Sequence, residues 1–476
     1  MCEAFCIFMI IYTFKIQKMK TINYVLLLIV MIGFTTCRPK TTDVEPQSNS
    51  FPPKIWDKTF GGDQDDVASS IIATPDGGFI AVGSSWSSKS NDKSESGNAQ
   101  DYWIVKIDNN GKKIWDKTIG GSDKDVPKSI VATPDGGFII AGNSASDISG
   151  DKTEKYNGEK GFGLPILPLD YWLVKINSSG QKVWDRTFGS INKEELETII
   201  ATPDGGYISI GTSYTPKPLL NVPNYTDAGD YYGDCYMVKI DNNGKKVWEK
   251  LLSGKYRVGV KAAIITSDGS IMICGDSFLV PVKTDINIFK TNHRILKVNM
   301  MGELQWEKLV SCEGWLTTNV SLVATQNGNF VIGSNFDKAS SQNFAKYGYW
   351  ISEIDNSGNQ LWEKKYSGND DDRIKSIVKS NNGEFLIVGN SNSGKSGDKT
   401  DDNKGEYDYW ILKTDNKGNK IWDKSVGGKQ NEDVKSIIAT DDGCIILGTS
   451  ISEISGDKSE KSRGGKDYWL IKLGFK

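Results

Sequence analysis

Short apolar runs, rich in β-branched and aromatic residues and bounded by Gly, Asn, Asp or Pro, recur from residue 54 to the end of the chain. Runs of this kind are read as strands. One unit contains four of them: SSIIATPD (69–76), GFIAVGSS (78–85), DYWIVKID (101–108) and KKIWDKT (112–118), called strands A to D. The A–B link carries Asp76-Gly77 and the C–D link carries Asn110-Gly111. Both dipeptides supply the positive φ that a tight hairpin turn needs.

The unit repeats seven times. Trp56, Trp115, Trp184, Trp248, Trp306, Trp362 and Trp422 stand in near-constant settings, 59, 69, 64, 58, 56 and 60 residues apart. Twelve residues before the last six stand Trp103, Trp172, Tyr236, Arg294, Trp350 and Trp410, and Trp469 is a seventh member of that set. The turn PDGG (75–78, 134–137, 203–206) returns as SDGS, QNGN, NNGE and DDGC. The repeating region opens with a lone strand D (54–60) and closes with a lone strand C (467–473). If the first strand completes the last blade, the sheets close into a ring without a broken edge. An open solenoid would gain nothing from splitting one unit between the two ends. The expected fold is therefore all-β, a seven-bladed β-propeller of four-stranded blades over residues 53–476. The repeated Trp are expected to be core, each removing a large apolar area from water.

The stretch DNNGKKIWDKT (108–118) resembles the tryptophan-docking repeat of the pyrroloquinoline-quinone dehydrogenases. The whole unit, with TPDGGFI and DYWIVK, is similar to the β-propeller repeats of exported Bacteroidetes-type proteins, often called SBBP-like. The resemblance covers about residues 54–476 and implies a propeller on an envelope or secreted protein, with no defined activity. The quinone enzymes use eight blades, a vicinal Cys pair and a calcium site. This chain has seven units and no vicinal Cys, so that activity and its cofactor do not carry over, and no cofactor is expected.

Ahead of the repeats, Lys18 and Lys20 precede the apolar run Tyr24 to Phe34. A run of about 11 residues is too short to span a bilayer but suits the core of a signal peptide. Residues 1–36 are read as that signal, with Met19 as an alternative start; a single long anchor is interrupted by Lys15, Lys18 and Lys20. Phe34-Thr35-Thr36-Cys37 resembles a bacterial lipobox, departing from it at Phe34 and Thr36. An acylated Cys37 would anchor the protein to a membrane; the alternative is an ordinary secretory signal. Residues 37–52 lack periodicity and read as a lipid-anchored tether. The expected location is the bacterial envelope, as an outer-membrane lipoprotein, with secretion as the alternative.

Composition narrows the chemistry. Lys plus Arg (57) nearly balance Asp plus Glu (60), for a net charge of −3, which gives no reason to expect a nucleic-acid partner. The one His, His293, restricts Ser-His-Asp and Cys-His catalysis and most zinc sites to arrangements built on that single residue, and it reads as a surface or core residue. Cys235, Cys274, Cys312 and Cys444 form no C-x-x-C pattern and read as packed filler. No catalytic motif is present, and a monomer is expected.

Alternation of strand direction puts the tight A–B and C–D turns on one face. The other face carries the D–A connections and the long B–C loops, 86–100, 146–169, 214–233, 277–291, 336–347, 391–407 and 451–466. Long loops on a rigid scaffold are where function is usually housed. The loops of blades 1, 2, 6 and 7 are polar, with echoes such as SGDKTEK (149–155) and SGDKSEK (455–461). They lack the full calcium-loop pattern and read as solvated turns. The loops of blades 3 to 5 hold Tyr214, Tyr225, Tyr231, Tyr232, Phe278, Phe289, Phe336, Phe344 and Tyr347. These aromatics either pack on one another or form a contact surface. Trp86 and Trp315 fall outside the repeat on the same face. With Tyr231, Tyr232 and Phe289, they are the candidate ligand-binding residues. Asp66, Asp125, Glu194, Asp372 and Glu432 recur at the start of strand A. They are candidates for a partial ring holding a cation, or, in the plainer reading, acceptors for nearby backbone N–H and hydroxyl groups such as Ser70.

The function expected is a non-catalytic binding or scaffolding propeller that meets a protein or glycan on its long-loop face. The alternatives are a carbohydrate-active hydrolase or lyase, and a lectin. The bulb-lectin pattern Q-x-D-x-N-x-V-x-Y is absent.

Overall fold

The first strand of the ring, Lys54–Phe60, pairs antiparallel with the last, Asp467–Gly474, with Thr59 opposite Trp469 and Phe60 opposite Tyr468. In this computed structural model the described residues are 51–157, 169–214, 233–253, 257–278, 292–311, 319–325, 328–338 and 346–474. They form twenty-eight strands in seven four-stranded antiparallel sheets, with no helix among them. Blade 1 runs A (Asp66–Ala73), B (Phe79–Ser85), C (Asp101–Ile107) and D (Lys113–Ile119). Blade 7 is built from Glu432–Thr440, Gly443–Ser450, Asp467–Gly474 and, as its outer strand, Lys54–Phe60. Each strand A packs on the strands A of both neighbouring blades, and that of blade 7 packs on that of blade 1, so the circuit closes. The chain is a seven-bladed β-propeller with strands A innermost.

Strand A lies three residues earlier than the apolar run implied, at 66–73 instead of 69–76. Thr74 to Asp76 belong to the turn: Gly77 N–H donates to the Thr74 carbonyl at 2.9 Å, and the Asp76 carboxylate accepts from the Thr74 hydroxyl at 2.5 Å and from Lys106 at 2.9 Å.

The core divides into seven apolar clusters, one in each gap between adjacent blades. The two Trp series play different parts. Trp103, Trp172, Trp350, Trp410 and Trp469 on strands C are fully buried. The indole N–H of each donates to an acid on its own strand D, for example Trp103 to Asp116 at 3.1 Å and Trp469 to Asp57 at 3.1 Å. In blades 3 and 4 Tyr236 and Arg294 donate to Glu249 and Glu307 in the same way. The requirement at this position is therefore bulk plus a donor. The strand-D Trp are only partly buried, apart from Trp422. Trp56, Trp115, Trp184, Trp248, Trp306 and Trp362 lie against the C–D turn glycines Gly111, Gly180, Gly244, Gly302, Gly358 and Gly418 of the next blade. Those glycines have φ between 74° and 83°, where an L side chain is disfavoured and would also meet the indole. Trp422 has no such turn ahead of it and packs edge-on against Phe51, at 5.2 Å between centroids.

Candidate functional site

Six of the seven strands A contain a register shift, at Ala68/Ser70, Pro127/Ser129, Leu196/Thr198, Val260/Ala262, Ile374/Ser376 and Val434/Ser436. A bulge leaves one residue out of the ladder and re-aims it. The residues left out are Ser69, Lys128, Glu197, Lys261, Lys375 and Lys435, and all six line one cavity of about 430 Å³ at the centre of the ring. Val67, Val126 and Val320 add apolar wall, and Ser84, Gln100 and Asn319 add neutral polar groups. Trp86, 41% exposed, stands in the same lining directly after strand B of blade 1, on the long-loop face.

Lys128 lies 3.5 Å from Glu197, while Lys375 and Lys435 share Asp433 at 3.6 and 2.5 Å. Lys261 makes no ion pair among the described residues. Burial pushes the Lys375 ammonium below its usual pKa; Asp433 opposes this, and Lys435 and Arg373 add to it. The centre of the ring is thus a crowded cationic well beside an exposed indole.

The acids at the start of strand A are buried away from water. Asp66 accepts from Gly62 N–H at 2.6 Å and from the Ser87 hydroxyl at 2.9 Å; Asp125 repeats this with Gly121 and Ser146. Glu194 accepts from Ser190 and Ser213, Asp372 from Gly368, Ser391 and Ser393, and Glu432 from Gly428, Ser450 and Ser452. Apart from that of Ser190, which precedes strand A, the hydroxyls come from the end of strand B and just beyond it, and the hydrogen bonds of Asp66 do not include Ser70. Among the described residues no group of three or more His, Cys, Asp and Glu converges as a metal site.

A second set of acids opens strand C: Asp101, Asp170, Asp408 and Asp467, all buried. Each meets the strand-A acid of the following blade, as Asp408 does Glu432 and Asp467 does Asp66. Between the two acids of one blade sits a buried lysine: Lys93 between Asp66 and Asp101, Lys152 between Asp125 and Asp170, Lys399 between Asp372 and Asp408, and Lys458 between Asp467 and Glu432. These lysines come from the SGDK-type loops, so the loops are not wholly solvated turns. Ser149 and Lys152 form a one-bridge hairpin, and the Lys152 Nζ reaches the Thr187 hydroxyl and lies 5.6 Å from the Trp172 ring centroid. Desolvation first, with like charge added, pushes Asp125 and Asp467 up to about 6 and Asp170 and Glu432 up to about 7. The sequence signal for this belt was available as the recurring Asp before Tyr-Trp and the recurring Lys of SGDK.

Of the sequence candidates, Trp86 is placed at the central cavity. Trp315, Tyr231, Tyr232, Phe289, Cys312 and Cys37 lie outside the described residues. Tyr214, Phe336 and Tyr347 engage neighbours in their own blades or the next: the Tyr214 hydroxyl donates to Glu195 at 2.9 Å, and Lys365 and Arg373 lie over Phe336 and Tyr347. His293 is buried against Trp350, and burial lowers its pKa to about 4. Cys235, Cys274 and Cys444 are free and buried, with the Cys235 and Cys444 thiols pushed up to about 12. They are inert filler. A larger cavity, about 610 Å³, lies between blades 5 and 6 beside the docking Trp362, whose indole N–H donates to Glu353 at 2.6 Å. Its lysines, Lys364, Lys379 and Lys417, come from those two blades alone.

No protein family matches the chain, and no curated protein does. Solved structures match in fold. An ulvan lyase of a polysaccharide lyase family is 12% identical, over 88% of this chain and 96% of that one, with a TM-score of 0.50. A protein of unknown function from Dyadobacter fermentans is 10% identical over 88% and 99%, at a TM-score of 0.45. The Pan2 WD40 domain of Neurospora crassa is 11% identical over 87% and 91%, at 0.46. At such identity these are likenesses of fold, shared by proteins that differ in function.

Proposed function

We propose that the chain is a non-catalytic binding or scaffolding propeller, held at a bacterial envelope through Cys37, that takes its ligand on the long-loop face where the central cavity opens. The observation that carries this reading is Trp86. The blade cores use their other described Trp in packing or docking, whereas this indole is exposed at a cavity formed jointly by all seven blades. An exposed aromatic beside a pocket is the usual anchor for a sugar ring or a protein side chain. Near-uniform repetition of the blades supports binding over catalysis, since an enzyme concentrates its acid and base in one asymmetric cleft.

The test is a glycan array and a pull-down with the wild-type protein and with Trp86→Ala. Loss of the captured ligand in the variant, with an unchanged melting temperature, is expected. Equal capture by both proteins would remove the cavity from the reading. Anchoring is read separately: incorporation of a radiolabelled fatty acid is expected to vanish on Cys37→Ser, and persistence of the label would refute it.

A further inference from the structure

The lysines of the central well fix the chemistry of the ligand more narrowly than Trp86 does. Resting on the binding reading above, we infer that the well binds an anionic sugar, a uronate or sulfated ring, stacked on Trp86 and neutralised by Lys128, Lys261, Lys375 and Lys435.

Three observations converge. The four lysines come from blades 2, 4, 6 and 7, each at the bulged position of its strand A, three residues after Asp125, Val258, Asp372 and Glu432, so the fold aims them at one point from around the ring. Two carboxylates, Glu197 and Asp433, answer them directly. The remaining charges nearby cancel in their own pairs, Lys193 with Glu195 at 2.7 Å and Arg373 with Asp371 at 2.7 Å. Two positive charges in the well are therefore uncompensated among the described residues. The buried acids of the surrounding belt do not supply the missing counter-charge, because they are occupied by Lys93, Lys152, Lys399 and Lys458 and by the hydrogen bonds described above.

The cavity also has the size and lining of a sugar site. Its 430 Å³ falls inside the range of small-ligand pockets, about 300–1,000 Å³. The indole offers an apolar face, while Gln100, Ser69, Ser84 and Asn319 offer neutral donors and acceptors suited to ring hydroxyls. Ammonium groups in a partly desolvated well attract a carboxylate or sulfate more strongly than surface lysines do.

The experiment is calorimetric titration of the full-length protein in detergent with three hexasaccharides. They are hexagalacturonate (carboxylate), a heparin fragment (sulfate and carboxylate) and maltohexaose (neutral). At least one anionic probe is expected to bind and the neutral one not, with affinity falling about tenfold or more between low and high salt as charge is screened. Lys261→Gln with Lys435→Gln is expected to weaken binding at least tenfold, and Lys261→Arg with Lys435→Arg to retain most of it; equal melting temperatures exclude unfolding. Salt-independent binding, preference for maltohexaose, or binding of hexaglutamate with neither anionic sugar would overturn the inference. A neutral ligand lost on Trp86→Ala would leave the binding face standing while the anionic assignment falls. An anionic sugar that the lysine variants release but Trp86→Ala holds as well as wild type would overturn the stacking on Trp86, and with it the inference.

Discussion

Each buried carboxyl in the belt is asked to give up water, and the protein answers with hydrogen bonds and with a lysine between two acids. At four of them above all, those partners do not fully offset desolvation. Asp125 and Asp467 rise to about 6, and Asp170 and Glu432 to about 7. The direction sets a pH dependence. A carboxyl with a raised folded pKa binds its proton more tightly in the native state, so the stability it contributes is full below the unfolded pKa and is lost as pH rises through the folded value. Asp76, Asp135 and Asp204 behave oppositely. Held near 2 by hydrogen bonds to Lys106, Thr133 and Lys239 foremost, they contribute above the unfolded pKa and lose that contribution only as pH falls toward 2. Between pH 4.5 and 7.5 His293, lowered to about 4, works the other way, but four raised carboxyls outweigh one histidine, and the urea midpoint is expected to fall over that range. A midpoint that rises over this interval would contradict the burial of these groups.

At the scale of the element, the SGDK hairpins show how a loop that looks solvated can be structural. Gly150, Gly397 and Gly456 take φ of 54° or 55°, and blade 1 meets the same need with Asn91 at 47°. A Cβ on Gly150 would lie 2.5 Å from the Gly120 carbonyl oxygen, whereas one on Gly136, at φ 78°, would meet nothing within 4 Å. Both alanine variants incur the left-handed penalty of roughly 1–2 kcal/mol. Gly150→Ala is expected to lower the unfolding midpoint more than Gly136→Ala, and equal effects would deny the hairpin its close packing. Turns of this kind were legible in sequence because Asp-Gly and Asn-Gly act locally. Strand A begins three residues before the apolar run because the charged Asp66 opens it and Val67-Ala68 is too short a run to stand out, while pairing to strand B holds the strand there. The recurrence of SGDK marked Lys152, but its burial was not legible because its partner, Thr187, lies 35 residues later.

For the whole molecule, the recurring Trp and the split unit made seven blades and ring closure readable from the chain alone, and the register Thr59 to Trp469 agrees. The cationic well was harder to see. Its lysines are single residues from four distant strands, and only the bulge brings them to one cavity. That convergence requires a closed ring, so the pairing of the first strand with the last is the claim on which the site depends. Hydrogen exchange of the full-length protein tests it most directly. Residues 54–60 are expected to be protected to the same degree as the other outer strands, Lys113–Ile119 and Lys182–Phe188. Exchange of 54–60 at the rate of an unstructured peptide would mean that the ring is open and the well does not form.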